Sequence, residues 1–485
     1  MVPITESGAM SAGGRRIDGP LLAKLIGASA LKRPYYLAVG RAVRDLVLDG
    51  RIPTHTRLPA ERDLAAALRV SRNTVSAAYT WLRENGYADS RPGAGSWTVL
   101  GPTGSGSRAP LTSSAEHIDL GAAAPSAIDG VRDASRSAVE RLTAHVDGSG
   151  YAPYGLPELR HAIARRYVER GLPTTPEQIL VTNGALQAVA LLMELLLEPG
   201  ERAMVESPTY PYALRAACRV GASPRAVAVP PGGWDMGAMA DAFRRWRPGV
   251  AYLVPDFQNP TGALMDDEER RTVVAEAHRA GTSLIVDESV AELAIDAGDQ
   301  PAPMAAHDRD GRVHTVGSAA KLFWGGLRIG WIRTTPPMVA KLATARQRTD
   351  LSSPVLEQLA VTHLLSDVLR IRTERSRQLR RGRDAMVAEL RARLPDWRFA
   401  SPSGGLVLWA AMPHPLATVL AQTAPRYGVH VAPGPVFGAE EPLEYYVRLS
   451  YTLAPEILAD AVRRLAEAHT EAVARPAPAP GRLYV

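Results

Sequence analysis

The chain has 485 residues, of which 46% are hydrophobic and 22% charged, and this composition predicts a globular protein with two or more domains. The single cysteine, Cys218, excludes an internal disulfide framework and suits a reducing cytoplasm, and no apolar run is long enough to cross a membrane. The net charge of +6 lies entirely within residues 1–100, which hold 14 Lys and Arg against 8 Asp and Glu. A localised basic excess indicates a nucleic-acid-binding module, although a solvated basic surface would give the same count.

The first hundred residues predict a loose start followed by three helices and a hairpin. Residues 1–22 are rich in Gly, Ser and Pro and are expected to be disordered or loosely docked. Apolar residues recur at helical spacing within 35–49, a second helix opens at Pro59, and Ser71 is a suitable N-cap for a third. A turn at 91–95 joins two short β segments. This order of elements predicts a winged helix-turn-helix.

The third helix of such a domain enters the major groove of DNA, where each base pair presents a distinct pattern of donors and acceptors. Its first turn here is polar, as contact with bases or phosphates requires, and its later residues are apolar, as core packing requires. The candidate DNA contacts are the polar start of this helix, two arginines near the second helix, and the wing: Arg57, Arg62, Arg72, Asn73, Thr74, Arg91 and Gly95.

The segments Leu58–Ala65 and Val70–Val75 resemble the GntR-type winged helix, and this resemblance covers roughly residues 30–100. In that family the helix-two arginine, the polar start of helix three and the wing glycines face DNA. The resemblance therefore implies that these residues contact duplex DNA: Arg62, Ser71, Arg72, Thr74 and Gly95. The alternative is a three-helix dimerisation module in which Ser71 only caps a helix. The predicted DNA-binding domain spans 23–100.

The remaining chain predicts a different architecture. Residues 101–117, dominated by Gly, Ser, Thr and Pro, are expected to form a flexible linker. From 118 to 472 helical stretches alternate with short apolar segments, which predicts βαβ units around a mostly parallel sheet, an α/β fold. The strand candidates are 179–181, 203–205, 250–254, 284–286 and 313–316. Residues 473–485, with their Pro-Ala alternation, predict an extended tail.

The run Gly317–Trp331 carries the most informative chemistry. Lys321 lies in a loop rich in Ser, Ala and Gly, and Arg328 follows seven residues later. A lysine amine forms a Schiff base with an aldehyde once it has lost its proton, and Ser318 and Arg328 are suited to hold a phosphate. An aldehyde joined to a phosphate is the outline of pyridoxal 5'-phosphate (PLP). The alternative for a lone lysine is a solvated surface residue.

Further motifs, each after a predicted strand, supply the other groups that a PLP site needs. The backbone N–H groups of Ala185 and Leu186 open a helix and are suited to bind phosphate. Tyr210 would cover the ring, the amide of Asn259 would donate to the phenolic oxygen, and Asp287 would pair with the pyridine nitrogen. Each motif has an ordinary structural alternative: a strand-to-helix turn, a buried loop tyrosine, a simple turn or a helix-capping aspartate.

The ordered set resembles the fold-type I PLP enzymes, specifically the aminotransferase class I/II group, over about residues 118–470. The resemblance implies that Lys321 forms the internal aldimine and that Tyr151 reaches the phosphate held by a partner subunit. It also implies a smaller C-terminal subdomain and a role for Arg448 in gripping a substrate carboxylate with bidentate geometry. The alternative for Arg448 is a salt bridge at a strand edge.

Two positions depart from the related pattern. Ser289 stands where a tyrosine usually helps to hold the phenolic oxygen, and Ala320 stands where a second phosphate-contacting serine is common. Each change removes a polar contact to the cofactor that is worth on the order of 1 kcal/mol. Weaker PLP binding, or altered electronics of the ring, is the expected consequence.

A GntR-type winged helix ahead of an aminotransferase-like domain is the layout of the MocR-type transcription regulators. That resemblance implies a homodimer that binds double-stranded DNA and senses an amino compound through aldimine exchange at Lys321. Two alternatives stay open. One is a catalytically active aminotransferase with an accessory N-terminal domain, so that enzyme activity is undecided, and the other is a regulator that has lost PLP.

Overall fold

The computed structural model describes residues 16–27, 34–48, 52, 56–84, 87–91, 95–99, 117–296, 300–439 and 443–474. The disorder predicted for 1–15, the turn at 92–94, and almost all of the predicted linker and tail lie outside the described residues. The domain boundaries proposed from the sequence stay predictions.

The N-terminal unit is a helical domain with a hairpin. Its helices are α1 (Gly19–Ile26), α2 (Tyr35–Leu48), α3 (Glu61–Leu68) and α4 (Arg72–Glu84). Its strands are β1 (Ala88–Arg91) and β2 (Gly95–Thr98), which pair in antiparallel register. Most apolar residues at the predicted helical spacing are buried together, among them Val39, Val43, Leu64, Leu68, Val75 and Leu82, whereas Tyr36 is 40% exposed. The predicted winged helix-turn-helix is confirmed.

Helix α1 corrects the expectation of disorder for residues 16–22. Asp18 caps this helix, with its Oδ1 accepting from the N–H of Leu21 at 2.7 Å, and a proline occupies its first turn. Leu22 is completely buried, and a Cβ at Gly19 would lie 2.8 Å from the carbonyl oxygen of Asp63. Helix α1 therefore packs tightly on α3 and belongs to the core of the domain.

The second unit holds the other elements. Its helices are α5 (Gly130–Leu142), α6 (Pro157–Glu169), α7 (Ala185–Leu196), α8 (Pro211–Arg219), α9 (Met236–Trp246), α10 (Asp267–Ala280), α11 (Ala319–Leu322), α12 (Pro336–Arg346), α13 (Val355–Ser366), α14 (Val368–Arg393), α15 (Ala417–Thr423) and α16 (Pro455–Ala474). Its strands are β3 (Ile118–Asp119), β4 (Ile179–Thr182), β5 (Arg202–Ser207), β6 (Ser223–Ala228), β7 (Val250–Leu253), β8 (Ser283–Asp287), β9 (Val313–Ser318), β10 (Gly330–Arg333), β11 (Val407–Ala411), β12 (Val429–His430), β13 (Ala432–Pro433) and β14 (Tyr446–Ser450).

A seven-stranded sheet with the order β4-β10-β9-β8-β7-β5-β6 forms the centre of this unit. Strand β10 is antiparallel to both of its neighbours, and the other described pairings in the sheet are parallel. Helices α7, α8 and α12 pack on one face, and α6, α9, α10 and α13 contribute to the core on the other. Both faces are covered, which explains why β7 is apolar throughout. The predicted α/β fold with a mostly parallel sheet is confirmed.

The smaller C-terminal layer contains the antiparallel sheet β11-β14-β13 together with α14, α15 and α16. Strand β3 pairs in parallel with β12, so the chain passes through this layer before it enters the large sheet. The helices of the described residues include none long and apolar enough to cross a membrane.

Candidate functional site

The candidate site lies at the carboxyl ends of the parallel strands. The segments that follow β5, β7 and β9 carry Tyr210, Asn259 and Lys321, and Asp287 is the last residue of β8. Because the carboxyl ends of parallel strands share one edge of the sheet, these side chains come together there, and ligands of such sheets bind at this edge. Arg448 joins them from β14 of the smaller layer.

Lys321 is a half-buried amine in the short helix α11. Its Nζ donates to the carbonyl oxygen of Ala123 at 2.8 Å. Burial, together with the cations Arg448 and Arg328, lowers the pKa of Lys321 to about 8, against the opposing effect of the carboxylate of Asp287. A lowered pKa leaves more of the amine neutral near pH 7, which is the form that attacks an aldehyde.

Arg375, which was not predicted from the sequence, holds the end of the lysine helix. This buried residue of α14 donates from Nε to the carbonyl of Leu322 at 3.1 Å and from Nη2 to the carbonyl of Phe323 at 3.0 Å. The same Nη2 donates to the carbonyl of Ser126 at 2.9 Å. The guanidinium therefore satisfies carbonyls at the end of α11 and ties that helix to the segment before α5.

Asp287 is buried, and both of its carboxylate oxygens accept a hydrogen bond. The hydroxyl of Tyr252 donates to Oδ2 at 2.7 Å, and the backbone N–H of Ser289 donates to Oδ1 at 2.9 Å. The role of Tyr252 was not predicted from the sequence either. A tyrosine in an otherwise aliphatic buried strand could have indicated that its hydroxyl has a buried polar partner. These contacts hold the carboxylate in place at the strand end.

Ser289 lies two residues after Asp287, at the position where the related pattern has a tyrosine. Its Oγ is buried and has no hydrogen-bond partner within the described parts of the chain. Ser289 lines a cavity of about 30 Å³ together with Gly317 and Trp331. The smaller side chain therefore leaves space beside β9, and on the described residues it is Tyr252 that contacts Asp287 through a phenolic hydroxyl.

The predicted phosphate contacts lie at the ends of three neighbouring strands, β4, β10 and β9. Gly330 of β10 pairs with both Ser318 of β9 and Thr182 of β4, which brings the start of α7 next to Ser318. Arg328 donates from Nη2 to the carbonyl of Asn183 at 3.1 Å. Gly184 has a φ of 85°, and a Cβ there would lie 2.8 Å from Nη2 of Arg328.

A side chain at position 184 would therefore collide with the Arg328 guanidinium. The N–H groups of Ala185 and Leu186 open α7 directly after Gly184, so the helix dipole adds to the charge of Arg328. Ser318 Oγ accepts from the N–H of Ala320 at 3.1 Å, and its hydroxyl hydrogen is left to donate to a phosphate oxygen.

Arg448 is a buried cation without a carboxylate. Its Nη1 donates to Oδ1 of Asn259 at 3.0 Å, its Nη2 donates to the carbonyl of Gly121, and its Cζ lies 4.7 Å from the ring centre of Phe437. Its Nε is buried and has no partner among the residues that the structure describes. Burial lowers the pKa of Arg448 to about 10, against the opposing effect of Tyr210. A buried guanidinium with a spare donor fits an anionic ligand, and no described carboxylate makes the alternative salt bridge.

Tyr210 and Tyr151 differ in their surroundings. Tyr210 is partly buried, and burial together with the carboxylate of Asp287 raises the pKa of its phenol to about 12, so it stays protonated in the site. Tyr151 stands apart, with 64% of its surface exposed. Its expected contact with a partner's phosphate stays a prediction.

The donor set as a whole fits PLP. It offers a depressed-pKa amine for the aldehyde, a carboxylate for the ring nitrogen, an amide for the phenolic oxygen and an anion site at a helix start. These groups are Lys321, Asp287, Asn259, Ser318, Arg328 and the start of α7.

The N-terminal unit presents a second candidate surface at the start of α4. Ser71 caps this helix, with Oγ accepting from the N–H of Thr74 at 3.1 Å, and Asn73 is exposed. The side chains of Arg72 and Arg62 are 74% and 84% exposed, and each has one distant acidic neighbour at 3.4 Å. These contacts are weak, so both guanidinium groups are accessible to phosphates or bases.

Arg57 belongs to the wing side of this surface. Its backbone forms an isolated antiparallel β-bridge with Trp97 of β2. A Cβ at Gly95 would lie 3.0 Å from the Nε of Arg57. Gly95 has a φ of 93° and pairs with Arg91 at the end of the hairpin. The structure therefore brings Arg57 and the wing glycine together, whereas the side chain of Arg91 lies outside the described part.

Comparison with known proteins agrees with this two-part architecture. A family model described as aminotransferase class I and II matches residues 116–465, and one described as bacterial regulatory proteins, gntR family, matches residues 35–97. The HTH-type transcriptional regulator YisV of Bacillus subtilis is 27% identical over 459 residues, which cover 87% of this chain and 93% of that protein. The probable rhizopine catabolism regulatory protein MocR of Rhizobium meliloti is 28% identical over 437 residues, covering 82% and 86%.

Among solved structures, the α-aminoadipate aminotransferase LysN of Thermus thermophilus, in complex with N-(5'-phosphopyridoxyl)-L-leucine, is similar with a TM-score of 0.69. It is 29% identical and covers 74% of this chain and 94% of that chain. The regulators match across both units, and the aminotransferase matches the second unit alone.

Proposed function

The chain belongs to the aminotransferase class I and II family and carries a gntR-family domain ahead of the aminotransferase domain. From this we propose that the protein is a transcription regulator that senses an amino compound through PLP. Membership of this family assigns PLP as the cofactor, and the related regulators place the chain among transcription regulators. The observation that carries the proposal is the lowered pKa of the Lys321 amine beside Asp287, in a chain whose other unit presents exposed arginines on a helix-turn-helix.

When bound, PLP supplies an aldehyde that an amine captures and a ring that accepts electrons. Lys321 presents the capturing amine, and Asp287 holds a proton on the pyridine nitrogen. Asn259 uses its Oδ1 to accept from Arg448, which leaves its Nδ2 to donate to the phenolic oxygen. Tyr210 would cover the ring, and the phosphate would be held by Ser318, Arg328, the N–H groups of Ala185 and Leu186, and Tyr151 of the partner subunit.

The effector is an amino compound whose amine takes the place of Lys321, and Arg448 holds its carboxylate if it has one. This exchange regulates DNA binding only if the effector binds two arrangements of the protein with different affinity. A homodimer places two winged helices on paired half-sites of duplex DNA, in the cytoplasm. Contacts are made by the exposed residues at the start of α4, by Arg57 and Arg62, and by the wing.

A second candidate function is an active aminotransferase, which the presence of Lys321, Asp287 and Arg448 in one cluster favours. A gel shift on the protein's own promoter region, with and without PLP and at fixed salt, separates the two functions. We expect retardation, and a change in it when PLP and an amino acid are added. Absence of retardation together with multiple turnovers on an amino acid would replace the regulator by the enzyme.

The rate at which the PLP-free protein captures PLP should rise about tenfold per pH unit below pH 8 and level off above it, because only the neutral amine attacks. The pKa of Lys321 is lowered to about 8 from 10.5, so raising the pH through 8 completes its deprotonation. Stopped-flow absorbance of lysine-bound PLP measures this rate. A rate that keeps rising to pH 10, as for a free lysine derivative, would show that the amine is not perturbed.

Arg448→Gln should remove the preference for ligands that carry a carboxylate. We expect the affinity for L-alanine to fall about 30-fold and that for ethylamine, which lacks the carboxylate, to change little, because the buried guanidinium is the group that pairs with the anion. Spectral titration of the PLP-loaded protein gives both dissociation constants. Equal losses for the two ligands would assign Arg448 a structural role.

A further inference from the structure

Glu206 is a buried carboxylate with no cationic partner on the described residues. It lies near the end of β5 with no exposed surface. Its Oε1 accepts from Nε1 of Trp234 at 2.9 Å, and its Oε2 accepts from Nε2 of Gln258 at 3.0 Å and from the backbone N–H of Val254 at 3.2 Å. All of these partners are donors, so the group serves as an acceptor on every side.

The partners of Glu206 join the two loops that face each other across the candidate cofactor site. Gln258 Nε2 also donates to the carbonyl of Pro208 at 2.8 Å, in the loop that leads to Tyr210. Gln258 Oε1 accepts from the backbone N–H of Thr261 at 3.0 Å and from its hydroxyl at 2.9 Å. The carboxylate and the amide therefore tie the loop after β5 to the loop after β7.

Each of the two loops is connected to Arg448 by a contact. Asn259, the residue after Gln258, accepts from Nη1 of Arg448 at 3.0 Å. The N–H of Thr209 donates to the carbonyl of Phe437 at 3.0 Å, and the ring of Phe437 lies against the guanidinium. A displacement of either loop would therefore move a group that touches Arg448.

We propose that Glu206 is a positioning residue that acts through Gln258 to set Asn259 and Arg448 for the carboxylate of the ligand. The proposal rests on the function proposed above and deepens it, since it assigns the carboxylate preference to a buried network as well as to the arginine. Neither Glu206 nor Gln258 touches the ligand in this role.

The geometry requires an ionised acceptor. A glutamine at position 206 would bring an NH2 group against Trp234 Nε1 or Gln258 Nε2, which are themselves donors. Burial, with a smaller contribution from the carboxylate of Asp287, raises the pKa of Glu206 to about 7, although the hydrogen bonds from Gln258, Trp234 and Val254 oppose this effect. Tyr252 also lies in this neighbourhood, and burial raises its pKa well above its ordinary value, so it stays neutral. Protonation below pH 7 would therefore remove one acceptor from the network.

The test compares L-alanine with ethylamine on the PLP-loaded, full-length protein, because the ratio of their dissociation constants isolates the carboxylate contact. We expect Glu206→Gln to reduce the preference for L-alanine about tenfold at pH 8. In the unmodified protein the preference should fall as the pH drops from 8 to 6, and this pH dependence should be absent in the variant. The double variant Glu206→Gln/Gln258→Glu, which exchanges the acceptor and the amide, should recover part of the preference.

Glu276→Gln is the matched control. Glu276 is also a buried carboxylate, but it lies on α10 and pairs with Arg279. An unchanged preference in Glu206→Gln, or a preference independent of pH in the unmodified protein, would overturn the role of Glu206 while Lys321 still bound PLP. A protein that did not bind PLP through Lys321 would instead overturn the proposed function. The pH profile of the unmodified protein needs no variant, so it tests the positioning role of Glu206 even if Glu206→Gln does not fold.

Discussion

Lys321→Ala should abolish the absorbance band of lysine-bound PLP completely. The variant keeps the phosphate contacts and Asp287, so PLP can still enter the site, but no amine remains there to capture its aldehyde. Absorbance of the protein after incubation with PLP and removal of the free cofactor measures the effect. The same variant should lose the response of DNA binding to PLP and an amino acid.

Lys341→Ala provides the control, because Lys341 is an exposed lysine on α12. Its replacement should leave the band unchanged. A band that persisted in Lys321→Ala and vanished in the control would place the covalent site elsewhere. An unmodified protein that stayed colourless with PLP would favour a regulator that has lost the cofactor, for which Ser289 and Ala320 are the sequence reasons.

Arg72→Ala should weaken specific DNA binding by about 1–3 kcal/mol, or roughly fivefold to 150-fold. Its guanidinium is 74% exposed at the start of α4, so its loss removes a contact to bases or phosphates without opening the core. Fluorescence anisotropy with a labelled duplex from the protein's own promoter region, at fixed salt, measures the change.

Arg41→Ala is the matched control for this surface, because Arg41 is an exposed arginine of the same unit on α2. If both variants lost affinity equally, the effect would be general electrostatics rather than contact by α4. If neither variant lost affinity, the unit would be better described as the dimerisation module that the sequence left open.

Much of the site was predictable because its residues lie directly after strands. An apolar strand is visible in the sequence, and the residue that follows its carboxyl end must lie at one edge of the sheet. Asp287 and Asn259 were therefore placed correctly with respect to β8 and β7. In the N-terminal unit the helical period of the apolar residues predicted α2, α3 and α4, whereas α1 was missed because its glycine-rich surroundings concealed the cap at Asp18.

The sequence by itself determined the order of the two units and the α/β class, and it predicted Lys321 as the reactive lysine, since these depend on local pattern and on spacing along the chain. Only the tertiary structure decided which side chains surround the residues of the candidate site. Tyr252 reaches Asp287 across neighbouring strands, and Arg375 reaches the lysine helix from α14. Glu206 of β5 accepts a hydrogen bond from Gln258 in the loop after β7. Such contacts join residues far apart in the chain, so their energies depend on packing that no local pattern encodes.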